Sequence, residues 1–268
     1  MNYLNRTPAP FDSAIWARID SEAVRRASDL LTGRRFLEVE GPYGPGLTSL
    51  EVGCDAFCRT PEEHEAAAIG SRAIGVPMLR KSFQLSIRRL AAQADMQQPL
   101  PLGVVAAAAE AVARREEEMV YHGQKSFGLH GLVNAPGSHL IESKSFADME
   151  VALQTVLQAV TTLDRHNFPG PYALALAPEL YNGMYRRYSG SDMLQVEHLS
   201  RLCEKGVYKA PIDGAVLLDT RAARLIVGQD LMAGYIGQDG VHCELFLSES
   251  MAVVIDDAQA ICNIKTAA

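Results

Sequence analysis

Cys54 and Cys58 sit four residues apart with His64 close behind, and thiolate and imidazole side chains at such spacing can bind zinc. A structural zinc site needs a second ligand pair at comparable spacing, and none follows; ordinary reduced thiols are the expected state. The seven histidines (His64, His122, His130, His139, His166, His198 and His242) contain no His-Glu-x-x-His pattern. His122 and His130 flank two glycines after a long helical segment and read as a solvated helix end. A serine nucleophile needs a strained Gly-x-Ser-x-Gly elbow, and "YSGSDM" at 188–193 lacks it. Glu116, Glu117 and Glu118 in "RREEEM" offer carboxylates for acid–base work, yet consecutive helical residues point around the axis rather than into one site. That run is expected to be a solvated or interface face. "GPYGPG" at 41–46 has the glycines of a phosphate cradle, but Pro42 and Pro45 remove backbone donors, a strand-like segment follows, and no Gly-Lys-Ser/Thr occurs. It is expected to be a turn. No cofactor, no metal and no catalytic constellation emerges, which leans away from an enzyme.

The chain has 268 residues, 48% hydrophobic and 21% charged, the composition of a well-cored protein with one large or two modest domains. A formal net charge of −7 disfavours nucleic acid as a partner, because phosphate needs clustered Lys and Arg. No apolar run is long enough to cross a membrane, and "MNYLNRTPAPFDSAIW" lacks the layout of a secretion signal. With five cysteines, an odd number, this predicts reduced thiols in the cytoplasm.

The elements follow from periodicity. "TPAP" at 7–10 reads as a stiff, extended arm, and Asp12 or Ser13 as the cap of a helix. Its stripe is Ile15, Trp16, Ile19, Ala23, Ala27, Leu30 and Leu31, with Gly33 placed to stop it. Short strands are expected over 36–58, irregular chain over 59–82 and a strand over 77–90. Long, weakly apolar strands with no core of their own suggest an arm that pairs with another chain. The strongest helix covers 102–123; a second follows Ser145 and Asp148, which suit a capping box. Two short helices are expected near 178–187 and 192–204, and strands over the last sixty residues. The mixture is α+β.

The ordered segments resemble the encapsulins, prokaryotic shell proteins once described as linocin-type bacteriocins. The resemblance rests on "APFDSAIWARIDSEA", "LTGRRFLEVEGPYG", "AEAVARREEEMVYHGQKSFGLHGLV", "GPYALALAPELYNGMYR", "DGAVLLDTR" and "LIVGQDLMAGYIGQDGVHCELFLSES", which together span nearly the whole chain. "GPYGPGLTS" departs from the family by lacking its Trp-Glu-Tyr, and 54–75 matches poorly. The resemblance implies the major capsid fold of tailed phages. It places an N-terminal helix and arm on the inner wall at 1–46 and an extended loop at 47–85. A peripheral domain with a spine helix then covers 86–134 and an apical domain 135–225, with return strands of the peripheral domain at 226–268.

It also implies a self-assembling icosahedral shell of about 60 or more copies, held by repeated interfaces. Such a shell encloses a cargo enzyme, commonly ferritin-like or a dye-decolorizing-type haem peroxidase, through a short docking peptide. The matching dock residues here are Leu31, Arg34, Glu38, Asp230 and Met232. A five-fold pore would be lined by Tyr188, Ser189, Gly190, Ser191 and Asp192, whose small polar groups and one carboxylate per subunit suit water and cations. The rival readings are a prophage major capsid protein, which would need basic inner segments for DNA, and a protease or bacteriocin-like enzyme, which would need a nucleophile–base pair.

Overall fold

The computed structural model describes residues 3–57, 62, 64–143, 148–186 and 192–266. Helix α1 (Ser13–Leu30) starts where the Asp12 carboxylate accepts the Ile15 N–H. Then come β1 (Glu38–Glu40), the hairpin of β2 (Ser49–Phe57) and β3 (Ile69–Gly75), β4 (Met78–Ser86), α2 (Ile87–Met96) and the long α3 (Gly103–His122). A minimal β5–β6 ladder (Gly123–Gln124 with Leu129–His130) leads to β7 (His139–Ser143), α4 (Met149–Arg165), β8 (Tyr172–Leu176), α5 (Pro178–Gly183), α6 (Gln195–Leu202) and β9 (Val207–Lys209). The chain closes with β10 (Ala215–Asp219), β11 (Ala223–Asp239), β12 (His242–Ile255) and β13 (Ile261–Thr266).

Two sheets organise these elements. The first runs β1-β11-β12-β4, built on the long β11–β12 hairpin, with β1 parallel to the start of β11. The buried face of α1 (Ile15, Trp16, Ile19, Ala23, Ala27) joins Val105, Ala108, Ala109 and Val112 of α3 in one apolar cluster beneath it. Complete burial of a side chain such as Ile19 contributes about 1.5–3 kcal/mol. The second sheet runs β7-β13-β10-β8-β9, and α4 covers it through Ala152, Val156, Ala159 and Leu163. The β2–β3 hairpin belongs to neither sheet, and its residues from Gly53 to Ala56 and Ile69 to Ala73 are exposed on both faces.

Several expectations are corrected. The span 47–85 divides: β2 and β3 form the free hairpin, but β4 pairs with β12 along its whole length. The expected strand over 77–90 ends at Ser86 and α2 follows, with Leu90 and Ala92 buried and Gln97 in a left-handed cap at φ 54°. The segment 261–266, grouped by sequence with the return strands, lies in the second sheet between β7 and β10. The β-branched and small residues of "AICNI" suit either sheet, and the antiparallel pairing with β10 and parallel pairing with β7 decide between them. "TPAP" is not extended: the Ala9 N–H returns to the Arg6 carbonyl at 3.2 Å. Asp148 caps α4 through the Glu150 N–H; Ser145 lies outside the described residues.

The role of Gly33 is also different. Helix α1 ends three residues earlier, at Leu30, and Gly33 opens a single 3-10 turn. A Cβ there would stand 3.0 Å from Val120 of α3, so glycine permits close approach of the turn to the helix. The "GPYGPG" loop has no free cradle. Its Tyr43 and Gly44 N–H groups donate to the carbonyls of Val227 and Gly228 at 3.0 and 2.6 Å, so the loop is stitched to β11.

Candidate functional site

The turn after α1 places Arg34 over the middle of α3, where it meets carboxylates from three elements. Its Nε and Nη2 donate to the two oxygens of Glu116 at 2.7 and 2.8 Å, a bidentate pair. Nη2 also donates to Glu249 of β12 at 3.3 Å, and Nη1 stands 4.0 Å from Asp230 of β11. Glu116 is 0% exposed and Glu249 1%. The charge run that sequence assigned to a solvated or interface face is therefore core at two of its three positions. Glu118 keeps to the surface and pairs with Arg115 at 2.5 Å.

One guanidinium thus faces two buried carboxyl groups, and the Glu249 Oε1 finds no donor among the described residues. Burial, then the negative charge of Glu116, push the Glu249 carboxyl well above the usual carboxylate range. Arg34 is held charged: burial opposes its charge, but the Glu116 hydrogen bond and the surrounding carboxylates outweigh that effect. Beside this cluster, Glu117 serves the backbone. Its carboxylate accepts the N–H groups of Thr32 and Gly33, both at 2.9 Å, and the Thr32 hydroxyl, which also contacts the Tyr121 hydroxyl. These bonds satisfy donors in the turn after α1 and lock that turn against α3. Burial raises the Glu117 carboxyl above its ordinary value, against the pull of these donors.

Of the residues named from the resemblance, Arg34 and Asp230 come together. Asp230 is exposed, and Met232, two residues along β11, is half-buried. Leu31 is 7% exposed and sits in the core cluster, its N–H closing α1 on Ala27. Glu38 is exposed on β1, opposite Arg224 in the parallel register, and does not pair with Arg34. Arg34 pairs instead with Glu116 and Glu249, because the turn aims it inward. Asp192 is exposed; Tyr188, Ser189, Gly190 and Ser191 lie outside the described residues. Cys54 is exposed, Cys203, Cys243 and Cys262 are buried, and Cys58 lies outside the described residues. Burial lifts the Cys203 and Cys262 thiols to about 12, so both are inert as nucleophiles at neutral pH. Among the described residues no group of three metal-ligating side chains converges.

Sequence reasoning missed Glu116, Glu117 and Glu249 as members of this site. The signal was present: Val105, Ala109, Val112, Glu116 and Met119 follow a helical stripe, and Glu249 interrupts a strand buried on both faces.

The family model described as "Encapsulating protein for peroxidase" matches residues 1–252. A type 1 encapsulin shell protein of Rhodococcus erythropolis is 31% identical over 273 residues, covering 98% of this chain and 100% of its own. Among solved structures, the virus-like particle of Pyrococcus furiosus superposes with a TM-score of 0.74 at 20% identity, covering 94% of this chain and 99% of that one. The capsid of Myoviridae phage XM1 gives 0.61 at 15%, with coverage of 89% and 92%. The α+β fold is therefore that of the tailed-phage major capsid proteins, and the chain belongs to the encapsulin family of shell proteins.

Proposed function

We propose that this chain closes into an icosahedral nanocompartment in the cytoplasm and encloses a cargo enzyme, a ferritin-like protein or a dye-decolorizing-type peroxidase, held by a short docking peptide. The family match over 1–252 carries the reading. The exposed β2–β3 hairpin supports it physically, because a two-stranded ribbon is marginal alone and gains stability only against another surface. Here that surface is a neighbouring subunit. Docking is assigned to the wall around Leu31, Arg34, Glu38, Asp230 and Met232. Arg34 and Asp230 supply fixed charge there, Glu38 supplies an exposed carboxylate, and Met232 offers an adaptable apolar contact. Leu31 supports the wall from beneath. Residues 188–192 are assigned to the pore for small polar solutes. The chain's acidity weighs against a DNA-filled capsid.

The test is expression of the chain alone, followed by size-exclusion chromatography and negative-stain electron microscopy. Uniform hollow particles are expected; a monomer or small oligomer would sink the compartment reading. Co-expression with a peroxidase carrying a terminal docking peptide then tests the wall. Asp230→Lys and Met232→Asp are expected to leave particles intact and deplete them of cargo.

A further inference from the structure

A second site lies away from the Arg34 cluster. Between the end of α1, the flank of α3 and the β9 edge of the second sheet opens a cleft of about 710 Å³. Ligand sites usually fall within about 300–1,000 Å³. Three exposed cations line it, one from each side: Arg35 after α1, Arg114 on α3 and Lys209 at the end of β9. None has a carboxylate partner among the described residues. Arg35 donates only to the carbonyls of Ser28 and Asp29, at 2.9 and 3.3 Å. The two acids in the cleft wall are engaged elsewhere: Asp29 stands 3.9 Å from both Arg25 and Arg26, and Glu117 is filled by Thr32 and Gly33. The free charge around the cleft is therefore positive in a chain whose net charge is −7.

Two tyrosines complete the wall. Tyr208 packs its ring on Phe36 at 5.4 Å and donates its hydroxyl to the Lys205 carbonyl at 2.6 Å. Tyr181 shares a 3.0 Å hydroxyl contact with Tyr185, and its ring lies 5.9 Å from the Lys209 ammonium. Both rings are thus held in place before any ligand arrives, and a flat aromatic group stacks on such a ring at little ordering cost.

Like charges gathered at a concave wall attract an anion, and guanidinium groups match phosphate oxygens in particular. Together with anchored aromatic rings they select a ligand that is both phosphorylated and flat. We propose that this cleft binds a mononucleotide, its phosphate among Arg35, Arg114 and Lys209 and its base against Tyr181 and Tyr208. A long RNA strand fits less well, since it needs a basic groove that continues along the backbone. The proposal does not rest on the shell reading: the cleft belongs to a single chain, so its occupancy can be measured in particles or in free subunits.

The experiment is isothermal titration of the purified protein at low salt with AMP, ATP, adenosine, inorganic phosphate and a short RNA oligonucleotide. Saturable binding of AMP or ATP at one per chain is expected, with adenosine weaker by about tenfold or more because it lacks the charge-assisted contacts. Arg114→Gln and Lys209→Gln should each weaken nucleotide binding by about tenfold while retaining the wild-type circular dichroism, since both side chains are exposed and neither has a carboxylate partner among the described residues. Tyr181→Leu should weaken AMP and leave phosphate unchanged. The proposal is overturned by absent saturable binding to the wild type, by wild-type affinity retained in both charge variants, by inorganic phosphate binding as tightly as AMP, or by an oligonucleotide binding more tightly than either nucleotide.

Discussion

Around Arg34 the chain buries charged groups that its sequence writes as surface; along the β2–β3 hairpin it exposes strands that have nothing of their own to cover them. The first region is held together within one subunit, with the Glu249 Oε1 alone lacking a donor among the described residues of the cluster. Glu116, Glu117 and Glu249 find donors from the turn after α1, so three elements distant in sequence are tied at one point. The second region has few contacts beyond its strand pairing: among the described residues Ile74 of β3 reaches the core fully, Leu50 and Val52 pack part-way against it, and Arg72 donates to the Gly128 carbonyl at 3.0 Å. Buried polar groups specify a packing when every partner is present, whereas a bare hairpin leaves its final state to another molecule. The contrast predicts that substitutions at the first region are read as stability and substitutions at the second as assembly.

The sharpest way to break that contrast is Arg34→Ala. Among the described residues it removes the only cation paired with these two buried carboxyl groups, and breaking such a pair costs about 3–5 kcal/mol. A large drop in thermal midpoint at fixed protein concentration is expected, with Arg34→Lys recovering part of it, because an ammonium restores charge but not the bidentate fork. A midpoint within error of wild type would show that the cluster is ornamental. Glu117→Ala should come next. It orphans the Thr32 and Gly33 N–H groups at about 1–3 kcal/mol each and frees the turn that carries Arg34. Calorimetry of the purified variant checks it.

The reason these residues were misread in the sequence is the same reason they matter. A run of glutamates in a helix normally marks solvent, and composition outweighed phase. The 3.6-residue period puts Glu116 on the stripe of Val112 and Ala109, and Glu117 on that of Ala113 and Val120, so burial was legible from spacing alone. Long periodic helices were readable for this reason: α1 and α3 fall close to their expected positions. Helix α2 was hidden because the alternation of Leu79, Phe83 and Leu85 runs directly into "IRRLAAQADM", and a strand period overlapping a helical one reads as a single element. The Arg34–Glu249 contact joins residues 215 positions apart, which no local pattern contains. Within the proposed dock, Arg34 and Asp230 could be named from the resemblance, but their shared carboxylate environment could not.

A pH dependence sharpens the comparison further. The Glu249 carboxyl is raised in the folded state, chiefly by burial and then by Glu116, from an ordinary value of 4.5. A raised folded pKa means the folded protein holds the proton more tightly than the unfolded chain does. Its contribution is fully present below the ordinary carboxylate value and is lost as pH rises through the folded one. Glu117 is raised as well and acts in the same direction. The wild type should therefore lose thermal stability from mildly acidic toward alkaline pH. Glu249→Gln, which keeps the shape and cannot ionise, should flatten part of that slope. An unchanged slope in the variant would mean that another group carries it.

The smallest expected effect on the subunit itself is at the arm. Gly53, Cys54, Asp55 and Ala56 are exposed, as are Ile69 to Ala73 on the partner strand. Substituting surface positions away from caps, cores and ion pairs normally changes stability by less than about 0.5 kcal/mol. Ile69→Asp or Ala56→Asp should leave secondary structure by circular dichroism indistinguishable from wild type. Either change nevertheless adds a charge to a ribbon that, under the shell reading, is covered by a neighbour, where an unpaired charge at each of many identical contacts opposes closure. The yield of particles should fall, with soluble small oligomers in their place, while the Arg34 cluster keeps its pH profile. If both variants assemble normally, the arm is not an interface at these positions. If they unfold instead, the arm contributes to the subunit's own stability, and the contrast between the two regions fails at its exposed end.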